Sequence, residues 1–373
     1  MNNKTLKSPG KLGLYIHIPF CKNKCPYCDF TSYTGKEALQ EAYIESVLKE
    51  AAKYREETRT VDSIFIGGGT PSCIKSGLIK KLADGLAEIF HISSDLEFTS
   101  EANPNSFSKE KALEFRSAGI NRMSFGLQTA NAALLKKIGR IHTKEDFLCA
   151  VNNALSAGIT NINADLMYSL PWQTAEEVKE TIDFLRDLPL NHVSAYALKI
   201  EEGTPFYRSF EKGEFDLPDE DLDREMFYMI ADDLTSRGFS RYEISNFAKE
   251  GYECRHNLKY WELEDYIGLG VSAHSFYRGE RFSNLDSLES YIRDPLHAEI
   301  TREKEPDLLF EELMLSLRIK KGLRLSIFKE DAQKPIKRLM ENGLAKIRND
   351  RLILTDHGMD LENSIIVLLS DFI

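Results

Sequence analysis

Tyr15-Ile16-His17-Ile18-Pro19-Phe20-Cys21-Lys22-Asn23-Lys24-Cys25-Pro26-Tyr27-Cys28 is the stretch on which the reading of this chain turns. It opens as a strand, since the run Leu14–Ile18 is short, apolar and stopped by Pro19. It continues as a loop with three of the chain's six cysteines inside eight residues, while Cys73, Cys149 and Cys254 are scattered. Clustered cysteines in a reducing compartment mean zinc, a redox pair or an iron–sulfur cluster. Structural zinc wants four closed ligands, commonly from two knuckles, and no second knuckle follows. A thioredoxin-like pair would use Cys25 and Cys28 and leave Cys21 without a role. Three thiolates on one short loop suit three irons of a [4Fe–4S] cube, with the fourth iron open to a small molecule.

Outward from this loop, short apolar segments alternate with amphipathic ones. Strands are expected at Ser63–Ile66, Leu96–Glu101, Arg122–Gly126, Ile162–Leu166 and Val193–Ala197, after Leu14–Ile18. Helices are expected over about 37–54, where Ile44, Val47, Leu48 and Ala51 share one face, and over about 76–90, 109–118, 131–137, 144–157 and 175–186. Six strands alternating with helices imply a parallel sheet with right-handed crossovers, and chemistry then gathers at the C-terminal ends of the strands. The cysteines, Gly67-Gly68-Gly69-Thr70-Pro71, Glu101, Gln128 and Asp165 all fall at or just after such ends. Alone, the glycine run is explained as well by a tight turn; it is no phosphate loop, because no Gly-Lys-Ser/Thr follows.

After Gly203–Pro205 the pattern loosens into a helix over about 219–237 and aromatic-rich short segments up to about 300. Beyond it come helices, one over 333–342, and a hairpin of Ala345–Arg348 and Leu352–Leu354 turning at Asn349–Asp350, with a final helix behind. The expected division is 1–215, a family-specific extension over 216–300, and a small α+β winged-helix-like domain over 301–373. That last segment holds 13 basic and 13 acidic side chains, so it lacks the electrostatic footprint of a DNA reader.

The whole chain of 373 residues carries 48 basic and 59 acidic side chains, a net charge of −11, which argues against a general nucleic-acid binder. Mean hydropathy is −0.35, with apolar residues spread throughout, as in a folded globular protein rather than a disordered one. No stretch approaches the roughly 18 apolar residues of a membrane span. Lysines precede the apolar run Leu12–Phe20, but His17, Pro19 and the lack of a small-residue cleavage site set it apart from a secretion signal. A cytoplasmic protein is expected, with any membrane association arising through partners.

The quoted stretch resembles the signature of the radical S-adenosylmethionine (SAM) superfamily, and the glycine run resembles that superfamily's GGE-type motif. The resemblance implies a partial (β/α)6 TIM-like barrel in an α/β fold, with a [4Fe–4S] cluster on Cys21, Cys25 and Cys28 and SAM chelated by the open iron. An electron from the cluster would then split the sulfonium to give a 5′-deoxyadenosyl radical. Over most of residues 12–275 the chain is similar to the oxygen-independent coproporphyrinogen III oxidase family, through Ser124-Phe125-Gly126-Leu127-Gln128, Asp165-Leu166-Met167-Tyr168, Leu170-Pro171 and Tyr196-Ala197-Leu198. By motif, that family's SAM contacts fall on Tyr15, Tyr27, Gly68, Gly69, Thr70, Glu101, Gln128, Arg140, Asp165 and Ala197. Each has a plainer reading: Glu101 and Asp165 as helix N-caps, Arg140 as a solvated charge, Tyr15 and Tyr27 as packing.

Two departures point to a branch. Where the resembling oxidases carry another cysteine after the third ligand, this chain has Phe30, and only about a dozen residues precede Leu14. Both features resemble the haem-chaperone branch once grouped with the oxidases. His256-Asn257-Leu258-Lys259-Tyr260-Trp261 resembles that branch's H-N-x-x-Y-W motif, which implies haem contacts from His256, Tyr260 and Trp261. A buried histidine beside core aromatics is the plainer reading. The expected function is therefore a haem chaperone, binding haem, the cluster and SAM, drawing on an electron donor and delivering haem to respiratory haemoproteins. The alternatives are decarboxylation of coproporphyrinogen III, a radical SAM reaction on another substrate, and, most remotely, a winged-helix regulator.

Overall fold

The structure is a computed structural model describing residues 10–303 and 306–373. The lysine-bearing lead before Gly10, and with it the short N-terminal segment weighed above, lies outside the described residues. Six parallel strands form the centre: β1 (Leu12–Ile18), β2 (Val61–Gly68), β3 (Ile92–Ala102), β4 (Arg122–Gln128), β5 (Asn161–Tyr168) and β6 (His192–Ala197), side by side in chain order. Helices α1 (Gln40–Ala51), α2 (Leu78–Ile89), α3 (Lys109–Ser117), α4 (Ala132–Lys137), α5 (Lys144–Ser156) and α6 (Ala175–Leu185) connect them. Each of these six strands expected from the sequence is present, one to five residues longer than its apolar kernel.

The strand side chains alternate with period two, as a curved sheet covered on its outer face requires. In β1, Leu12, Leu14, Ile16 and Ile18 are buried in the outer core, while Tyr15 and His17 face a cavity on the other side. In β4 and β5, Met123, Phe125, Ile162 and Ala164 pack outward, whereas Arg122, Ser124, Asn163 and Asp165 point inward. The helices close the outer layer. Capping boxes Thr143/Asp146 and Thr174/Glu177 start α5 and α6 by satisfying N–H groups that a first turn leaves free.

The aromatic-rich region after β6 holds more regular structure than its sequence suggests. It comprises α7 (Pro205–Glu211), α8 (Glu220–Ser236), β7 (Ser240–Arg241), β8 (Asn246–Ala248), α9 (Arg255–Trp261), β9 (Tyr266–Leu269), β10 (His274–Tyr277), β11 (Glu280–Asn284), α10 (Leu288–Arg293) and β12 (Glu299–Glu303). β9 adds parallel to the free edge of β1, and β8 adds antiparallel to β6. The result is one twelve-stranded sheet, β12-β11-β10-β9-β1-β2-β3-β4-β5-β6-β8-β7; among the described residues its two end strands do not pair, so the barrel is open. Beyond it, α11 (Leu308–Ser316), α12 (Gln333–Glu341), α13 (Asp356–Asp360) and α14 (Glu362–Ser370) surround a three-stranded sheet of Leu323–Arg324, Ala345–Arg348 and Arg351–Leu354. The hairpin turns at Asn349 and Asp350, both with positive φ, as a two-residue I′ turn demands. These elements have an apolar core of their own, including Leu313, Leu317, Leu339, Leu352 and Leu369.

Candidate functional site

The cysteine loop leaves β1 at Pro19 and is clasped from three sides. Its own ends meet, Cys21 N donating to Tyr33 O at 3.0 Å and Tyr33 N to Pro19 O at 2.7 Å. The glycine turn after β2 holds its start, Gly69 N donating to Ile18 O and Thr70 N to Phe20 O, both at 2.8 Å. Its middle rests on the β4–α5 connection and on α7, through Asn23 Nδ2 to Gly139 O (3.0 Å) and Phe206 N to Pro26 O (3.0 Å). Gly139 permits this approach: it has φ of +74°, and a Cβ there would lie 2.4 Å from Pro26 Cδ.

All three thiols are free, Cys25 buried and Cys21 and Cys28 half-buried. The Cys21 thiol lies 3.5 Å from Thr70 Oγ1, and Arg140 donates to the Cys25 thiol at 3.8 Å and to Gly126 O at 2.9 Å. Burial first, then the neighbouring Cys25 and Cys21, raises the Cys28 thiol. Among the described residues no three His, Cys, Asp or Glu side chains close on one point as a single metal ion would need. A [4Fe–4S] cube asks something else, since each thiolate meets its own iron and the three surround a space. Three free thiols on one clasped loop, with a guanidinium beside one of them, fit that demand and the negative charge of such a cluster.

Next to the loop the inner faces of β1–β6 enclose a cavity of about 550 Å³. Four of the SAM-contact candidates form its wall: Tyr15, Gly68, Glu101 and Asp165. Gly68, at φ +105°, could not be another residue, because a Cβ would lie 2.5 Å from the His17 ring. Its N–H donates to Glu101 Oε2 at 3.2 Å. Glu101 and Asp165 are strand residues rather than N-caps; Ser108 and Thr174 cap the helices that follow. Burial, reinforced by the neighbouring Asp165, pushes the Glu101 carboxyl up to about 8. Burial also raises Asp165, although Ser124 Oγ (3.0 Å) and Asn163 Nδ2 (2.7 Å) donate to it. Behind them the guanidinium of Arg122 is almost wholly buried, with Nε unpartnered.

The other candidates stand elsewhere. Tyr27 packs edge-on against Phe206 with ring centroids 6.2 Å apart, Thr70, Gly69 and Arg140 serve the loop, Gln128 ends β4 with φ of +68°, and Ala197 is exposed at the end of β6. Sequence reasoning missed His17, Phe65, Arg122, Ser124, Asn163 and Ser194 as wall residues. Counting by twos from Tyr15 and Asp165 along their strands would have found His17 and Asn163. His17 is held by its neighbours: Nε2 donates to Thr31 O at 2.7 Å, so Nδ1 accepts from the Tyr15 hydroxyl at 3.0 Å. Burial lowers its pKa to about 4, keeping the ring neutral.

The hexapeptide forms α9, whose start is capped from β3: Glu97 accepts Arg255 N and His256 N, each at 3.0 Å. His256 has no exposed surface, and both ring nitrogens are bonded, Nδ1 with Ser63 Oγ at 3.0 Å and Nε2 with the Tyr260 hydroxyl at 2.8 Å. Burial, then the Lys259 charge, lowers its pKa to about 3. His256 therefore presents no free nitrogen to an iron in this structure. The hexapeptide reaches the cavity through Asn257 and Tyr260 instead, while Trp261 lies on the outer side under the Arg318 guanidinium, 4.6 Å from its ring.

This geometry has counterparts. The radical SAM superfamily profile matches residues 15–185, and the HemN C-terminal domain profile matches residues 304–361. The solved structure of coproporphyrinogen III oxidase (HemN) from Escherichia coli superposes with a TM-score of 0.82 at 23% identity, covering 96% of this chain and 90% of that one. The fold and domain composition are thus those of a radical SAM protein of the HemN type. Among proteins of known name, the heme chaperone HemW of Lactococcus lactis is 36% identical over 94% of this chain and 95% of its own length. HemW of Bacillus subtilis is 37% identical over 94% and 97%. The chain belongs to the HemW family.

Proposed function

We propose that this chain carries haem on a radical SAM scaffold and passes it to haem-accepting respiratory proteins. In this reading Cys21, Cys25 and Cys28 hold a [4Fe–4S] cluster, SAM lies in the cavity against Tyr15, Gly68, Glu101 and Asp165, and haem is bound as cargo. The observation that carries it is convergence: the stretch Asp29–Thr31 that follows the third cysteine, Gly68 of the glycine turn, two buried carboxyl groups and Tyr260 of the hexapeptide border one hollow. Bound there, cluster and SAM supply one-electron chemistry.

The chain's own residues bind and exclude water. Glu101, raised by burial to about 8, would ionise or share its proton when a cationic, hydroxyl-bearing ligand settles against it, and burial shifts Asp165 in the same upward direction. Gly68 offers bare backbone at the cavity wall, and Arg140 would screen the charge at Cys25. The E. coli HemN fold favours a second reading, the oxidase reaction on coproporphyrinogen III. Against it stands Phe30, 62% exposed at the cavity lip, where the resembling oxidases have a cysteine.

One assay separates them. Anaerobically reconstituted protein with SAM, a reductant and coproporphyrinogen III is expected to yield no protoporphyrinogen while an authentic oxidase turns over in parallel. The same preparation, loaded with haem, is expected to convert a haem-free respiratory protein to its haem form. Protoporphyrinogen in the first arm, or no transfer in the second, overturns the carrier reading.

A further inference from the structure

A second hollow, of about 390 Å³, shares only Tyr260 and Tyr266 with the first. The two rings stand edge to face, centroids 4.6 Å apart, as a partition between them. The remaining walls of the outer hollow are Trp261 at the end of α9, Arg281 on β11, and Glu311, Met314 and Leu315 of α11. The two compartments differ in chemistry. The inner one is walled by Glu101, Asp165 and Arg122, whereas the outer one is mainly aromatic and aliphatic.

Its rim also leaves apolar surface in water. Leu309, Phe310 and Met314, all on α11, are 46%, 38% and 37% exposed. Phe310 stands one helical turn from Met314, so the exposed apolar surface of this nine-residue helix runs on from the wall of the hollow. The one cation in the wall, Arg281, is held by Glu311 through Nε (2.6 Å) and Nη2 (2.7 Å), over the Phe276 ring at 4.7 Å. That pair is neutral overall, yet it leaves the Nη1 hydrogens free of Glu311 to meet a second carboxylate.

We infer that this outer hollow is the haem seat, with the Met314 thioether as an iron ligand and Arg281 as the partner of a propionate. The inference rests on the haem-carrier reading above. Haem is flat, apolar over both faces, and acidic at one edge, and its iron accepts a thioether. The outer hollow supplies aromatic faces, a half-exposed thioether and one guanidinium. His256, with both nitrogens bonded, supplies none of these directly. Because Tyr260 and Tyr266 separate the compartments, haem and SAM are held together rather than in competition. The size agrees with ordinary ligand pockets, which run from roughly 300 to 1,000 Å³.

The test is haem titration into the full-length chain, cluster reconstituted, with and without SAM, followed by visible absorption and magnetic circular dichroism. Met314→Leu keeps the apolar volume and removes the sulfur on an exposed helix position, so the fold is not at stake. It is expected to lose about tenfold in haem affinity together with the spectral signature of thioether ligation. Arg281→Gln is expected to weaken haem several-fold but to leave haem dimethyl ester, which lacks the free carboxylates, unaffected. Saturating SAM should leave haem affinity within about twofold. Unchanged affinity and spectrum in Met314→Leu overturn the assignment. Displacement of haem by SAM mole for mole overturns it too, placing haem in the inner cavity. Failure of the unaltered chain to bind haem at all removes both the assignment and the carrier reading, and leaves the α11 surface to a partner protein.

Discussion

Single side chains here differ sharply in what they can be asked to do. Cys25 is buried and joined to Arg140. Cys25→Ala should abolish the brown absorbance that anaerobic reconstitution gives; full iron occupancy in that variant would sink the ligand assignment. Glu101 carries a stability consequence. Its carboxyl titrates near 8 in the folded chain against 4.5 when solvated, so between those values the folded state holds a proton that the unfolded state has lost. Its contribution is therefore fully present below about pH 4.5 and declines as pH rises through 8. Glu362, raised by burial to about 7, adds a slope of the same sign. Above about pH 6.5, where the lowered His17 and His256 no longer add a slope of the opposite sign, denaturant midpoints of the metal-free chain should fall up to about pH 8, and Glu101→Gln should flatten the decline. An identical slope in Glu101→Gln would show that this carboxyl does not stay protonated. His256→Ala should cost about 2–4 kcal/mol, since it opens a hole and strands the Ser63 and Tyr260 hydroxyls. Urea unfolding measures that cost, and a loss under about 0.5 kcal/mol would contradict the buried, doubly bonded ring.

Among the elements, legibility followed locality. The six central strands were readable because one face of each is packed against helices, which forces the alternation of Leu14/Tyr15/Ile16/His17 and Asn163/Ala164/Asp165. Helix α9 was not, because its start is capped from outside: Cys254 makes no side-chain cap, and the acceptors come from Glu97, 159 residues away from His256 in the chain. No local signal exists for such a helix. The strands β9–β12 were missed for a related reason, being four or five residues long and defined by partners across the sheet rather than by their own period. Among the candidate residues, motif resemblance found Glu101 and Asp165, while the wall residues Phe65 and Ser194 needed the strand register. The cap makes its own prediction. Glu97→Gln leaves one amide nitrogen facing backbone donors and should cost about 1 kcal/mol or more, concentrated in faster hydrogen exchange over 255–261. Exchange unchanged there would mean α9 is held by packing alone.

For the whole molecule, the relation between the open sheet and the C-terminal elements is polar as well as apolar. Arg241, on β7, pairs with Asp360 of α13 at 3.4 Å, both nearly buried, and Arg224 reaches the same carboxylate at 3.2 Å. Arg318 lies 4.0 Å from Glu243 and 3.6 Å from Glu362. Arg241→Ala removes one of two guanidiniums on Asp360 and the stacking over Phe227 while Arg224 keeps the carboxylate paired, so it should destabilise by roughly 1–3 kcal/mol. Hydrogen exchange should report the loss first in residues 308–370; a uniform rise across the chain would show that both apolar cores unfold as one. None of the helices described is long and apolar enough to cross a membrane.

The ring of His256 has a further consequence for the tyrosine it holds. With the proton on Nδ1, it donates to Ser63 and accepts from Tyr260, so the phenol turns lone pairs toward the inner cavity. With the proton on Nε2, Ser63 donates to Nδ1 and the Tyr260 oxygen accepts, which frees the phenol proton to point the other way. The two arrangements share every heavy-atom position and both leave the imidazole uncharged. Tyr260 can thus meet an incoming donor or an incoming acceptor at one and the same spot, its polarity set by which nitrogen of the buried imidazole carries the proton and by the turn of the two hydroxyls on either side.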